Sequence, residues 1–373
     1  MRPCRICGGE LARLLTYANV PQAAQHLPGE AEVAHEAGIE LVVCQCTACG
    51  VVQLDNEPVH YWRDVIRAVG FSESMRSFRA DQFAAFVRRH GLRGTAALEA
   101  GCGDGSYLRL LAGAGLDVLG LEHDAANVRR CREQGLSAEQ GCIEEIGRLP
   151  KAPFAAFFVF SWLEHLPSIP GFLAAVRAQL AEDAVGIVEV PNFDMILKGN
   201  LFSEFIVDHL YYFTRDTFQH TLESNGFEVL SCAPVWHDYI LSAEVRKRRP
   251  LDVSGLEGAY EATLADVRRL YASYPRLALW GAGHQALTLI AMAGGYDSLA
   301  YIVDSAPFKQ GLYSTVSHRP IVSPEHLRTE PVDALIVAAG SYSDEVCHIA
   351  RTRYGMRTLF VFRNNRLEPY QEG

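Results

Sequence analysis

Residues 94–124, GTAALEAGCGDGSYLRLLAGAGLDVLGLEHD, constrain the fold more than any other stretch of the chain. An apolar run ends in Glu99, and Gly101, Gly103 and Gly105 follow at alternate positions. A helical pattern from Ser106 to Ala114 comes next, then a second apolar run from Asp117 to Leu121, closed by Glu122. The order predicts strand, glycine turn, helix, strand and acid. Glycine lets the backbone turn tightly and approach a ligand closely. An acid at the end of the second strand can take both hydroxyls of a ribose.

Enzymes that bind dinucleotides set a helix N-terminus against a pyrophosphate through G-x-G-x-x-G. Here the pattern is E-x-G-x-G-x-G, with Asp104 inside the loop. An acid there repels a pyrophosphate and suits a cation. S-adenosylmethionine carries a sulfonium and an ammonium and no phosphate. The stretch resembles motif I of class I S-adenosylmethionine-dependent methyltransferases. The resemblance implies cofactor contacts at Glu99, Gly101, Gly103, Gly105 and Glu122.

At 373 residues the chain is long enough for two or three domains. A net charge of -10 argues against a sequence-independent nucleic-acid binder, which needs a basic face. The basic run Arg246 to Arg249 follows a strand pattern and reads as a solvated linker. No apolar span is long enough for a membrane, and the N-terminus does not read as a signal peptide, so a cytoplasmic protein is expected.

Half of the 10 cysteines fall before residue 50. Cys4-x-x-Cys7 and Cys46-x-x-Cys49 are each followed by glycine, Gly8 and Gly50. Two residues between thiolates let both reach one ion, and four thiolates make a closed tetrahedral site for structural zinc. Cys44 would share a strand face with Cys46 and could compete as a ligand; the paired knuckle favours Cys46. The long spacer between the pairs, including Asn19 to Gln22 and Ala23 to Leu27, must form a loop with another use.

Residues 1–60 read as short strands and loops around the metal, and residues 61–69 and 72–90 as helical. Strand and helix patterns then alternate to residue 245, as a doubly wound sheet requires. Strands are expected at Ala96–Leu98, Val118–Leu121, Ala155–Phe160 and Gly186–Val190, with a closing hairpin at Phe227–Ala233 and Tyr239–Val245. Residues 246–260 read as the linker. A second α/β unit follows, with a helix at Ala262 to Tyr274, strands at Leu277–Trp280, Leu299–Val303, Ala334–Ala338 and Thr358–Phe362, and a G-x-G-x-x-A turn from Gly281 to Ala286. That turn could bind the nucleotide or phosphate of a substrate, or only pack helix on strand. The fold class is α/β: a Rossmann-like methyltransferase core between a zinc-binding segment and a C-terminal Rossmann-like domain. The boundaries fall at 1–75, 76–248 and 249–373.

Ligands of open α/β sheets bind beyond the C-terminal ends of strands. Four stretches should meet there: Glu99 to Gly105, Glu122 to Asp124, Ser161 to Pro167, and Pro191 to Phe193 with the loop to Phe213. His165 and His209 are the histidines placed for proton transfer. Asp208 could orient an imidazole or fix a hydroxyl. Glu144 could face the adenine amino group. Tyr211 and Tyr212 could stack on a sugar face or lie in the core.

The whole chain resembles the sugar C-methyltransferases of deoxysugar and antibiotic biosynthesis. The likeness is carried by Cys4, Cys7, Cys46 and Cys49, the Pro21 loop, Glu99 to Gly105, His165-Leu-Pro, Asp208-His209 and Gly281-Ala-Gly283. It implies a nucleotide-linked 4-keto sugar as acceptor, removal of the proton at C3 beside the ketone, and in-line attack of the resulting enolate carbon on the methyl group. It also implies catalytic roles for His165, Asp208 and His209. The chain departs from the family in two places. The acid-histidine pair is typically Glu-His with a tyrosine two residues before the Glu; here the acid is Asp208 and Ile206 holds the tyrosine position. A tyrosine near the start of the methyltransferase domain is absent from Arg67 to Ser72. O- or N-methylation of a sugar or cyclitol therefore stays open, since it needs only a base and alignment. The alternative of another class is a binding or scaffold subunit with a degenerate methyltransferase core.

Overall fold

The computed structural model describes residues 2–24, 27–30, 33, 37–64 and 72–371, and these form three sheets. Two compact units divide it, residues 1–249 and 250–373. The helix expected at residues 61–69 and the missing tyrosine of residues 67–72 fall mostly outside the described residues.

In the first unit, β1 (Leu11–Val20), β2 (Ile39–Cys46) and β3 (Val52–Leu54) form an antiparallel sheet. Helix α1 (Glu73–His90) starts on the Ser72 hydroxyl, which accepts the Met75 amide, and ends on Gly91 in the left-handed conformation. The boundary read at residue 75 thus lies inside a helix. The apolar positions Met75, Phe83, Phe86 and Val87 are buried.

The central sheet is built from β4 (Ala96–Ala100), β5 (Asp117–Glu122), β6 (Ala138–Gln140), β7 (Phe154–Phe160) and β8 (Leu180–Pro191), all parallel. Between them run α2 (Ser106–Gly113), α3 (Ala125–Glu133) and α4 (Ile169–Ala178). Then come α5 (Phe193–Gly199), the short strand β9 (Tyr211–Tyr212), α6 (Arg215–Ser224), and the hairpin β10 (Phe227–Val235) and β11 (Ile240–Lys247). The strand order is β6-β5-β4-β7-β8-β11-β10, with β11 antiparallel to β8. This is the doubly wound sheet closed by an antiparallel hairpin that the sequence led us to expect. Strand β8 begins six residues before the expected Gly186, at Leu180, because the exposed Glu182 and Asp183 interrupt its apolar pattern. Strand β9 pairs with β3 rather than with the central sheet. The cysteine-bearing sheet is thereby stitched to the loop that carries Asp208 and His209.

The second unit contains α7 (Ser254–Ser273), β12 (Leu277–Trp280), α8 (His284–Ala293), β13 (Leu299–Val303), β14 (Ile321–Val322), α9 (His326–Thr329), β15 (Ala334–Val337), α10 (Ser343–Tyr354), β16 (Leu359–Arg363) and β17 (Arg366–Pro369). The order β14-β13-β12-β15-β16-β17 is that of a Rossmann sheet with an antiparallel edge strand. The linker is shorter than residues 246–260. Helix α7 starts at Ser254, and its first buried residues are Thr263 and Leu264. With no buried stripe before them, the opening turns carry no helical periodicity.

Among the described residues no helix is long and apolar enough to cross a membrane.

Candidate functional site

At the C-terminal ends of β4, β5 and β7 lies an open cleft. Gly101, Glu122, His123, Cys142, Glu144 and Trp162 are among the residues that line it. Gly101 has φ 77°, and a Cβ there would stand 3.5 Å from the Trp162 ring. Glu122 Oε2 accepts the Gly103 amide at 2.7 Å and Oε1 accepts the Asp124 amide at 3.0 Å. Each oxygen keeps a lone pair for a hydroxyl. Glu144 is exposed at the cleft rim. The residues fit S-adenosylmethionine: an acid for the ribose, an indole for a ring and a glycine turn without phosphate ligands.

The remaining sequence-assigned cofactor residues do not line this cleft. Glu99 is fully buried at the end of β4. Gly103 acts through its amide on Glu122. Gly105 caps α2 with φ 82°, and a Cβ there would come within 2.8 Å of Leu136 and 2.9 Å of Cys131. Its glycine serves helix packing. Gly105→Ala is expected to destabilise the fold by about 1–3 kcal/mol, combining a left-handed backbone with overpacking. Gly103→Ala, with no atom near the added methyl, should cost less in the same denaturant titration. Asp104 is exposed and accepts from the Ser106 amide and hydroxyl, so it starts α2.

Beyond β7, a short turn at Leu163–His165 meets the loop before β9. The rings of His165 and His209 lie 4.7 Å apart at 75°. His165 Nδ1 is 2.8 Å from the Asp208 carbonyl oxygen. A carbonyl only accepts, so Nδ1 carries the proton and Nε2 the lone pair. Burial draws the His165 pKa down to about 4, against the opposing effect of the Asp208 carbonyl. Burial, then the neighbouring His165, hold His209 well below its usual range. Both rings are therefore neutral bases near pH 7.

Asp208 meets His165 through its backbone carbonyl. Its Oδ2 accepts the Ala24 amide at 2.9 Å, and no described hydrogen bond joins its carboxylate to an imidazole. The long spacer between the cysteine pairs thus has a second use: it reaches Asp208. Tyr211 and Tyr212 are both core residues. Tyr212 bonds the backbone of Ile206 at both its amide and its carbonyl, and neither ring is open to a sugar.

Cys4, Cys7, Cys46 and Cys49 converge, with all four sulfurs within 4.8 Å of one another. Two S···S separations are 3.7 Å and 3.5 Å. Four sulfurs at about 2.3 Å from zinc stand roughly 3.8 Å apart, so the set fits a tetrahedral ion. The Cys49 amide faces the Cys46 sulfur at 3.4 Å. Burial would raise the Cys46 thiol, yet the Cys49 and Ala48 amides bring it down to about 7. Gly8 and Gly50 both have φ 75°, the turn the knuckles need. Cys44 is buried in β2 outside this group.

In the second unit, Asp304 directly follows β13, where a ribose-binding acid would stand. Its Oδ2 accepts the Ala282 amide at 2.8 Å and Lys309 Nζ at 2.9 Å. Gly281 is required because a Cβ would sit 2.4 Å from the Ala338 carbonyl oxygen. The G-x-G-x-x-A turn is thus tied to its own chain.

Three residues escaped assignment from the sequence. Glu164 is buried beside the two histidines, and burial lifts its pKa to about 8. Arg79 is buried in an ion pair with Glu189 at 2.6 Å. It also lines a cavity with Tyr107, Ser161, Trp236 and Tyr239. Its signal was a charge four residues after Met75 and four before Phe83, on the apolar face of α1. Trp62 walls the cofactor cleft from the N-terminal segment, and no sequence signal marked it.

The family model for a methyltransferase domain matches residues 64–232, and that for a C-methyltransferase C-terminal domain matches residues 257–363. The chain is similar to the C-methyltransferase NovU of Streptomyces niveus, with 26% identity over 92% of this chain and 90% of that protein. Among solved structures, it is similar to a S-adenosylmethionine-dependent methyltransferase from Clostridium acetobutylicum at 13% identity and a TM-score of 0.40. That match covers 51% of this chain and 97% of the other. The magnesium protoporphyrin IX methyltransferase of Synechocystis gives 17% identity and a TM-score of 0.38, covering 50% and 92%.

Proposed function

We propose that this chain, an S-adenosylmethionine-dependent methyltransferase, methylates a carbon beside the keto group of a nucleotide-linked sugar. The observation that carries the reading is the pairing of two neutral imidazoles, His165 and His209, brought together from separate loops. Support comes also from the C-methyltransferase likeness, which spans both units.

S-adenosylmethionine supplies an electrophilic methyl group and a sulfur leaving group. Glu122 would hold its ribose, Trp162 and Glu144 the adenine end, and the Gly101 turn would let it lie against the backbone. His209 takes the proton from the carbon next to the ketone. The electron pair of that C–H bond moves into the enolate, and the negative charge formed there stabilises the imidazolium. His165 positions the His209 ring edge to face, and its own orientation is fixed by the Asp208 carbonyl. The enolate carbon would be the nucleophile that receives the methyl group of bound S-adenosylmethionine, with the C–S electron pair staying on sulfur. We assign Cys4, Cys7, Cys46 and Cys49 to structural zinc, and their sheet to holding the Asp208 loop.

Glu122→Ala should weaken S-adenosylmethionine binding by about 2 kcal/mol, roughly thirtyfold, through loss of charge-assisted hydrogen bonds. Calorimetry reads this directly, and unchanged affinity would move the ribose site elsewhere.

The reaction is tested by incubating a nucleotide-linked 4-keto sugar with enzyme and S-adenosylhomocysteine in deuterated water. Exchange of the proton next to the ketone is expected, because the carbon acid forms without methyl transfer. Ile206 at the tyrosine position is the observation that favours O- or N-methylation instead. That chemistry gives no exchange and leaves the methyl on oxygen or nitrogen.

A further inference from the structure

The histidine pair has a third member. One ligand atom from each of Glu164, His165 and His209 lies within 4.8 Å of the others. Glu164 Oε1 is 4.0 Å from His165 Nε2. Glu164 is only 1% exposed, and its Oε2 has no hydrogen-bond partner among the described residues. A buried carboxyl oxygen without a partner costs free energy unless something else uses it. His165 meanwhile shows the outer-shell arrangement of a metal ligand: Nδ1–H is held by a backbone carbonyl, which fixes the ring and leaves Nε2 as donor.

We propose that Glu164, His165 and His209 form a second metal site, built from residues other than the four cysteines. Two imidazoles and one carboxylate suit a borderline divalent ion of the Co²⁺, Ni²⁺ or Zn²⁺ class rather than Mg²⁺ or Ca²⁺, which take oxygen ligands. Donors bound at about 2.1 Å stand roughly 3.0–3.5 Å apart. The 4.0 Å separation of Glu164 and His165 therefore has to close by less than about 1 Å. The ion occupies the histidine lone pairs, so it and proton removal exclude one another. Inhibition by the ion rests on the proposed role of His209; binding does not.

The test uses full-length protein with its cysteine site loaded with zinc, titrated with Co²⁺ alone. Metal content after equilibrium dialysis should show one further ion per chain. The Trp162 ring lies 6.1 Å from His165, so the paramagnetic ion should quench Trp162 fluorescence over the same concentration range. Glu164→Gln and His209→Asn should each weaken the second ion by more than tenfold. Loss of a direct ligand exceeds the roughly 10–100-fold cost of an outer-shell partner at its lower end. Folding of each variant is checked by its thermal transition. Wild-type protein that takes up no second ion overturns the site even if both variants unfold. Retention of the ion in both folded variants overturns it as well. A filled site with undiminished methyl transfer would instead overturn His209 as the base.

Discussion

His209→Asn is expected to lower methyl transfer by roughly 10²–10⁴-fold, the usual cost of losing a general base, with S-adenosylmethionine affinity unchanged. The separation follows from geometry. His209 is not among the residues lining the Glu122 cleft, and it packs on His165 and Tyr212. Asn keeps a polar side chain of smaller volume and has no lone pair that accepts a proton near neutrality. Single-turnover rates beside calorimetric affinities measure the two quantities independently. Full turnover in the variant would remove His209 from the mechanism. His165→Asn is expected to cost less, because His165 aligns its partner. Removing it also frees the Asp208 carbonyl that its Nδ1 now meets.

Cys46→Ser is the second large effect. Loss of a metal belongs with the few mechanisms that destabilise by more than about 4 kcal/mol. Cys44→Ala trims a buried side chain outside the cluster and should cost nearer 1 kcal/mol. Thermal unfolding with zinc analysis of each variant measures both. Clean protein without zinc, or a Cys44 variant that loses the metal, would refute the assignment.

Chelation should also reach the chemistry before it reaches the cofactor. The sheet runs from the cysteines in β2 through β3 to β9, two residues beyond His209. The Ala24 amide bonded to Asp208 belongs to the loop that follows β1. Loosening this sheet should therefore lower turnover, while the Glu122 cleft keeps the walls it takes from the ends of β4 and β5, from Gly141 to Glu144 and from Trp162.

The sequence alone determined the parallel core, because alternating strand and helix patterns and the Glu99-to-Glu122 unit are local signals. It also singled out the two cysteine knuckles, whose spacing is set by how two thiolates reach one ion, and the two histidines. It could not determine what depends on contacts between distant residues. The pairing of β9 with β3 joins the cysteine sheet to the histidine loop through two residues whose aromatic pattern equally fits a sugar platform. Asp208 presents its carbonyl to His165 and its carboxylate to Ala24, a division of roles that residue type does not encode. Gly101 and Gly105 look alike in the glycine run; only the neighbours Trp162, Leu136 and Cys131 decide that one opens on the cleft and the other packs a helix. Burial decided the state of Glu164, because a carboxyl's charge depends on the solvent that the fold takes from it.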